Sequence, residues 1–198
     1  MKPALYAFLI TLMAISCHKG PPELAGVPLT DYYNRCSIDE YNFGEMITIG
    51  DPNDKFMVTL PYEWEIQETY TDTLYGMIAT NGTLVGNNPD DFLMISFTGY
   101  QTEDSLLNYF KKEITALKND KAMKVLEAGV MDFNGADSYW VKFENTQNSQ
   151  PVMNVVKYLH APNKGEIYMI HSAVSKSGNV DEKIAILKKL ADSFELVK

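Results

Sequence analysis

The stretch Lys55-Phe56-Met57-Val58-Thr59-Leu60-Pro61-Tyr62-Glu63-Trp64-Glu65-Ile66-Gln67-Glu68-Thr69 decides how the chain is read. Phe56, Val58 and Leu60 alternate with Met57 and Thr59; Pro61 interrupts; then Trp64 and Ile66 alternate with Glu63, Glu65 and Gln67. A period of two residues sends successive side chains to opposite faces of a strand, so the pattern predicts two half-buried strands broken at the proline. Trp64 is expected to be a core anchor that fixes the bend after Pro61 and packs beneath the last helix.

Working outward, the same period predicts strands over residues 46–49, 75–80, 92–97, 125–133, 139–143, 151–160 and 166–174. Short links, among them Asn81-Gly82, Asn134-Gly135 and residues 161–165, make neighbouring strands antiparallel. Val155-Val156 and Tyr168-Met169-Ile170 are apolar at both parities, as a strand covered on both faces requires. Two helices supply the covers. One carries Leu106, Phe110, Ile114 and Leu117 on a single stripe, with Thr102 as its expected N-cap. The other starts at Asn179, with Glu182 at capping-box spacing, and carries Val180, Ile184, Leu187, Ala191 and Phe194.

Phe56-x-Val58-x-Leu60-Pro61-x-x-Trp64, opening a domain that ends Ser193-Phe194-Glu195-Leu196, resembles the PsbP-like family, named for an extrinsic subunit of photosystem II. Glu63 stands where members usually carry glycine. The resemblance covers residues 46–198 and implies an α+β fold, an antiparallel sheet with helices packed on its faces, in one PsbP-like α/β/α sandwich domain.

The N-terminus addresses location. Met1-Lys2 is a short positive region and residues 3–15 are apolar except for Thr11. That run falls short of the about 20 residues that span a bilayer, so residues 1–16 read as a cleaved signal peptide. Ala14-Ile15-Ser16-Cys17 resembles the lipobox of bacterial lipoproteins, with Ala14 where leucine is usual. The resemblance implies that Cys17 takes a diacylglyceryl thioether and becomes the first mature residue, which holds the protein on a membrane without crossing it. Residues 17–45 then comprise the lipidated cysteine, a tether rich in proline and glycine over 18–28, and an N-terminal extension. Tyr32, Tyr33, Tyr41 and Phe43 in that extension are expected to drape over the domain; an aromatic contact surface is the other reading.

Forty-five per cent of the 198 residues are hydrophobic and the formal net charge is -9, which suits one globular domain and argues against nucleic acid as a partner. The signatures G-x-S-x-G, P-loop, H-E-x-x-H, paired C-x-x-C and G-x-G-x-x-G are absent from the sequence. Cys36 has only His160 or His171 as a distant base, and an inert thiol is expected. If the strands either side of 161–165 pair where residue numbers sum to about 326, the two histidines lie roughly 16 Å apart and cannot share an ion. Asp51-Pro52-Asn53-Asp54 reads as a turn, and Asp90 and Asp91 as solvated loop charges. Asn81-Gly82-Thr83, Asp72-Thr73-Leu74 and Asp104-Ser105-Leu106 are short matches to glycosylation acceptors. No cofactor and no metal are expected. The expected function is that of a lipid-anchored protein of the bacterial cell envelope, a non-enzymatic binding or assembly module for an envelope protein. An envelope hydrolase with a loop-assembled site and a small-ligand carrier are the alternatives.

Overall fold

The computed structural model describes residues 22–51, 54–70, 74–81, 92–147, 150–160 and 165–197. Cys17, the signal peptide, the loop with Asp90 and Asp91, and most of Asp72-Thr73-Leu74 lie outside the described residues. The described residues begin with β1 (Glu23–Leu24), β2 (Val27–Pro28), the single turn α1 (Tyr32–Arg35), β3 (Met46–Gly50), β4 (Phe56–Pro61) and β5 (Glu65–Tyr70). They continue through β6 (Leu74–Thr80), β7 (Leu93–Gln101), α2 (Leu106–Asn119), β8 (Met123–Phe133), β9 (Ala136–Gln147), β10 (Gln150–His160) and β11 (Glu166–Ser175). They close with α3 (Val180–Ala191) and β12 (Glu195–Leu196).

Seven strands form one antiparallel sheet in the order β5-β6-β7-β11-β10-β9-β8, and β12-β4-β3 form a smaller one. Asn134 and Gly135, both at positive φ, close β8 onto β9 with Phe133 opposite Ala136, the two-residue turn their pairing predicts. Strands β10 and β11 sit inside the large sheet and are buried from both sides. Val155 and Ile170 join the core beneath α3 and β4; Val156 and Ile167 join the core beneath α2. The architecture is therefore the expected α+β sandwich, with α3 and the small sheet on one face of the large sheet and α2 on the other.

Four local expectations are corrected. Ser105, and not Thr102, caps α2: its Oγ accepts from the Asn108 N–H, while Thr102 Oγ1 accepts from the Asp104 N–H and shapes the approach. Residues 22–28 are not spacer. The hairpin β1–β2 buries Val27 in the core under α2, and Lys118 Nζ donates to the Ala25 carbonyl at 2.8 Å. Strands β10 and β11 pair Val156 with His171, so their residue numbers sum one higher than expected and the histidines lie four positions apart along the ladder, or roughly 13 Å. Finally, Trp64 lies in the turn between β4 and β5 and is only partly buried. The fully buried tryptophan is Trp140, in mid-strand on β9, with 0% of its surface exposed.

Trp140 takes the anchoring role assigned to Trp64. Trp140→Ala is expected to lower the unfolding free energy by about 3–5 kcal/mol, and Trp64→Ala by less than about 2 kcal/mol, in urea denaturation.

Candidate functional site

Gly129 on β8 pairs with Trp140 on β9. A Cβ at residue 129 would stand 2.4 Å from the indole of Trp140 and 2.5 Å from the Thr30 carbonyl. Only glycine allows the ring and the incoming N-terminal segment to share that place. Onto the ring the segment lays Tyr33, with centroids 5.8 Å apart, and Tyr32 at 6.2 Å. The expected draping is thus observed, with Tyr33 completely buried and Tyr41 left exposed.

Residues on the same face of β9 and β10 make a charged border around these rings. Lys142, two residues beyond Trp140, holds its Nζ 3.5 Å from the centroid of the Tyr32 ring, a cation–π contact. The same ammonium lies 3.5 Å from Glu127 and 4.0 Å from Asp181. Tyr32 donates to Asp181 Oδ1 at 2.6 Å, and Thr30 donates to Glu127 Oε2 at 2.7 Å. Lys157, almost fully buried opposite Trp140, pairs with Asp192 at 3.1 Å; burial lowers its pKa, and the aspartate works against that shift. The N-terminal segment, β8, β9 and α3 are tied at this point.

Above the knot is an open recess of about 510 Å³, lined by Tyr32, Arg35, Cys36, Ile38, Asp181 and Glu182 among others. Two of its lining groups have raised pKa values. Burial and the bond to Asp181 push the Tyr32 phenol far up. Burial likewise raises the Cys36 thiol, whose Sγ lies 3.6 Å from the Asp181 carbonyl. Neither histidine is a base for Cys36. His160 and His171 share the sheet face that α2 covers, while Trp140 and Lys142 occupy the other. His171 Nε2 is 2.9 Å from Asn154 Oδ1, and its ring stacks on Phe143. Asp51 and Asp54 form the expected turn, with the Asp54 N–H bonded to the Asp51 carbonyl. Asn81 Oδ1 accepts from the Leu93 N–H, which closes β6 onto β7. No group of three or more potential metal ligands occurs among the described residues.

The sequence reading did not single out Lys142, Lys157 or Gly129. Their signal was a lysine beside apolar residues in each of two strands, Trp140-Val141-Lys142-Phe143 and Val155-Val156-Lys157-Tyr158, and a glycine at a strand's centre.

No protein-family model matches the chain. No curated protein sequence matches it. Solved structures do. The Ran-binding protein Mog1p of Saccharomyces cerevisiae aligns with a TM-score of 0.53 at 10% identity, over 78% of this chain and 96% of that one. The cyanobacterial PsbP protein CyanoP of Synechocystis sp. PCC 6803 aligns at 0.49 and 13% identity, over 80% and 97%. LpqN of Mycobacterium tuberculosis, involved in cell envelope biogenesis, aligns at 0.48 and 10%, over 78% and 91%. At such identities the likeness is one of fold, and the Mog1p alignment carries it.

Cys36 in the folded protein is expected to react with an aromatic disulfide at pH 8 several-fold more slowly than in urea, and Tyr32→Ala to remove most of that protection. Burial pushes the His171 pKa down to about 4, below its ordinary 6.5, so the folded protein disfavours the imidazolium. Its contribution is complete above pH 6.5 and is lost as pH falls towards 4, on the order of 2 kcal/mol for a partly exposed ring. Subtracting the pH profile of His171→Gln from that of wild type, each by urea denaturation, should isolate a loss of that sign.

Proposed function

We propose that the protein is a lipid-anchored component of the bacterial cell envelope, acting as a non-enzymatic binding or assembly module for an envelope protein. The observation that carries the binding half is the state of the recess. Burial raises the pKa of its phenol and its thiol, and the buried cation Lys142 behind the Tyr32 ring is matched to carboxylates, which suits recognition better than acid–base or nucleophilic chemistry. The fold supports the same reading, since Mog1p, which matches over nearly its whole length, is a Ran-binding protein. The anchoring half rests on the lipobox resemblance at Cys17, and no helix of the described residues is long and apolar enough to cross a membrane. Residues 17–21 remain as lipidated cysteine and spacer ahead of a domain that includes the N-terminal hairpin.

Cys17→Ser is the direct test. Wild type should sediment with membranes, resist high salt and be released by detergent, whereas Cys17→Ser should be recovered without detergent. A variant that stays as firmly bound as wild type removes the anchor. Crosslinking in intact cells tests the partner, and the absence of any specific protein adduct removes the binding module.

A further inference from the structure

Met46-Ile47-Thr48-Ile49-Gly50, the strand β3, has no charged residue and no proline, and it lies at the edge of the small sheet. Edge strands expose unpaired backbone groups, and proteins guard them with charge, proline or a cover. Other edges in this molecule are guarded. Leu29 bridges to Ala128, and Thr30 donates to the Ala128 carbonyl at 2.8 Å, which covers β8. Glu65 and Glu68 put charge on both faces of β5. On the far side of β4, β12 takes Phe56 and Met57, and the Ser193 hydroxyl accepts from the Thr59 N–H at 3.0 Å.

Two hydrogen bonds fix the phase of the β3–β4 ladder: Tyr62 N–H to the Glu45 carbonyl at 2.8 Å, and Asp51 N–H to the Phe56 carbonyl at 2.9 Å. Bonded and unbonded pairs alternate in an antiparallel ladder. Ile47 and Ile49 therefore bond inward to Leu60 and Val58, and the N–H and C=O groups of Met46, Thr48 and Gly50 point away from β4. Among the described residues no hydrogen bond reaches these outward groups. Pro61 fits the same phase, since it stands in the unbonded pair with Met46 and forfeits no bond to β3. On the edge strand and its neighbour lie exposed apolar side chains, Met46 and Met57, with Tyr62, 62% exposed, at the end of β4. Exposed Glu45, Glu63 and Glu195 rim the patch.

We propose that β3 is a docking strand, which an extended segment of a protein partner joins by backbone pairing as a fourth strand of the small sheet. Unpaired donors and acceptors at strand spacing are matched by another extended backbone. The apolar patch calls for apolar residues at alternate positions of that segment, and the acidic rim for basic residues at its ends. A second copy of this chain fits less well, because it would bring like rims together on molecules of net charge -9. The proposal rests on the reading of this protein as a binding module and names the partner's chemistry.

The test uses the full chain and the capped peptide acetyl-Lys-Val-Thr-Val-Thr-Val-Lys-amide, with amide exchange followed by NMR. Without peptide, the amides of Met46, Thr48 and Gly50 should exchange fast and those of Ile47 and Ile49 slowly. Saturating peptide should slow the first three by about tenfold or more. Thr48→Pro removes an outward N–H and no inward bond, so it should abolish that protection; Met46→Pro serves if Thr48→Pro fails to fold. Peptide that binds without protecting these amides, or equally well to the proline variant, overturns the proposal, as does a lack of binding. In intact cells, a photocrosslinking residue in place of Tyr62 should trap a protein, and Thr48→Pro should prevent it. A partner trapped from position 35 and unaffected by Thr48→Pro would leave the binding module standing and overturn the docking strand. A dimer that Thr48→Pro dissolves would overturn it in favour of a second copy.

Discussion

Strands β10 and β11 must be apolar on both faces, and the other layers follow from that. A strand in the middle of a seven-stranded sheet has no face left for water, so it commits the chain to two covers. Helix α2 supplies one through Phe110 and Ile114, and α3 with β4 supplies the other through Ile184, Leu187, Val58 and Leu60. Three of the exceptions to apolarity on these strands are paired. Lys157 is paired with Asp192, Asn154 donates to Asn145 at 2.9 Å, and His171 lies within hydrogen-bonding distance of Asn154. A buried polar group without a partner costs more than its bond returns, so these pairs are fixed points of the packing.

Much of this was legible from residue order, for a physical reason. Periodicity reports what a side chain faces, and Val155-Val156 or the stripe Leu106, Phe110, Ile114 states that directly. The cap of α3 was legible because Asn179 and Glu182 act on each other locally: Asn179 Oδ1 accepts from the Glu182 N–H. What escaped was contact between distant segments. Trp64 and Trp140 are equally apolar, and only tertiary placement decides that one closes a turn while the other is enclosed by residues a hundred positions earlier. Likewise a hairpin built from Glu23 to Pro28, with Ala25 and Gly26 both at positive φ, reads as spacer because proline and glycine serve both purposes. Thr102 failed as a cap because Ser105 offers the same chemistry one turn later.

The candidate site was the least legible part. Its members come from the N-terminal segment, three strands and a helix, and no two of Tyr32, Lys142 and Asp181 are close in sequence. A lysine beside apolar residues in a strand was the available sign, and its meaning depends on an aromatic ring and two carboxylates brought from elsewhere. The recess is thus a product of closure of the fold. It exists only while the N-terminal segment is seated on Trp140.

The close approach of Gly129, Trp140 and the Thr30 carbonyl carries a genetic consequence. A side chain at 129 has nowhere to go unless the indole and the segment above it both yield. Single changes at 129 should therefore be tolerated only in backgrounds where residue 140 has already become smaller, and reversion at 140 should then be blocked. The two positions behave as one unit of inheritance, and the seat of the N-terminal segment sets the order in which they can change.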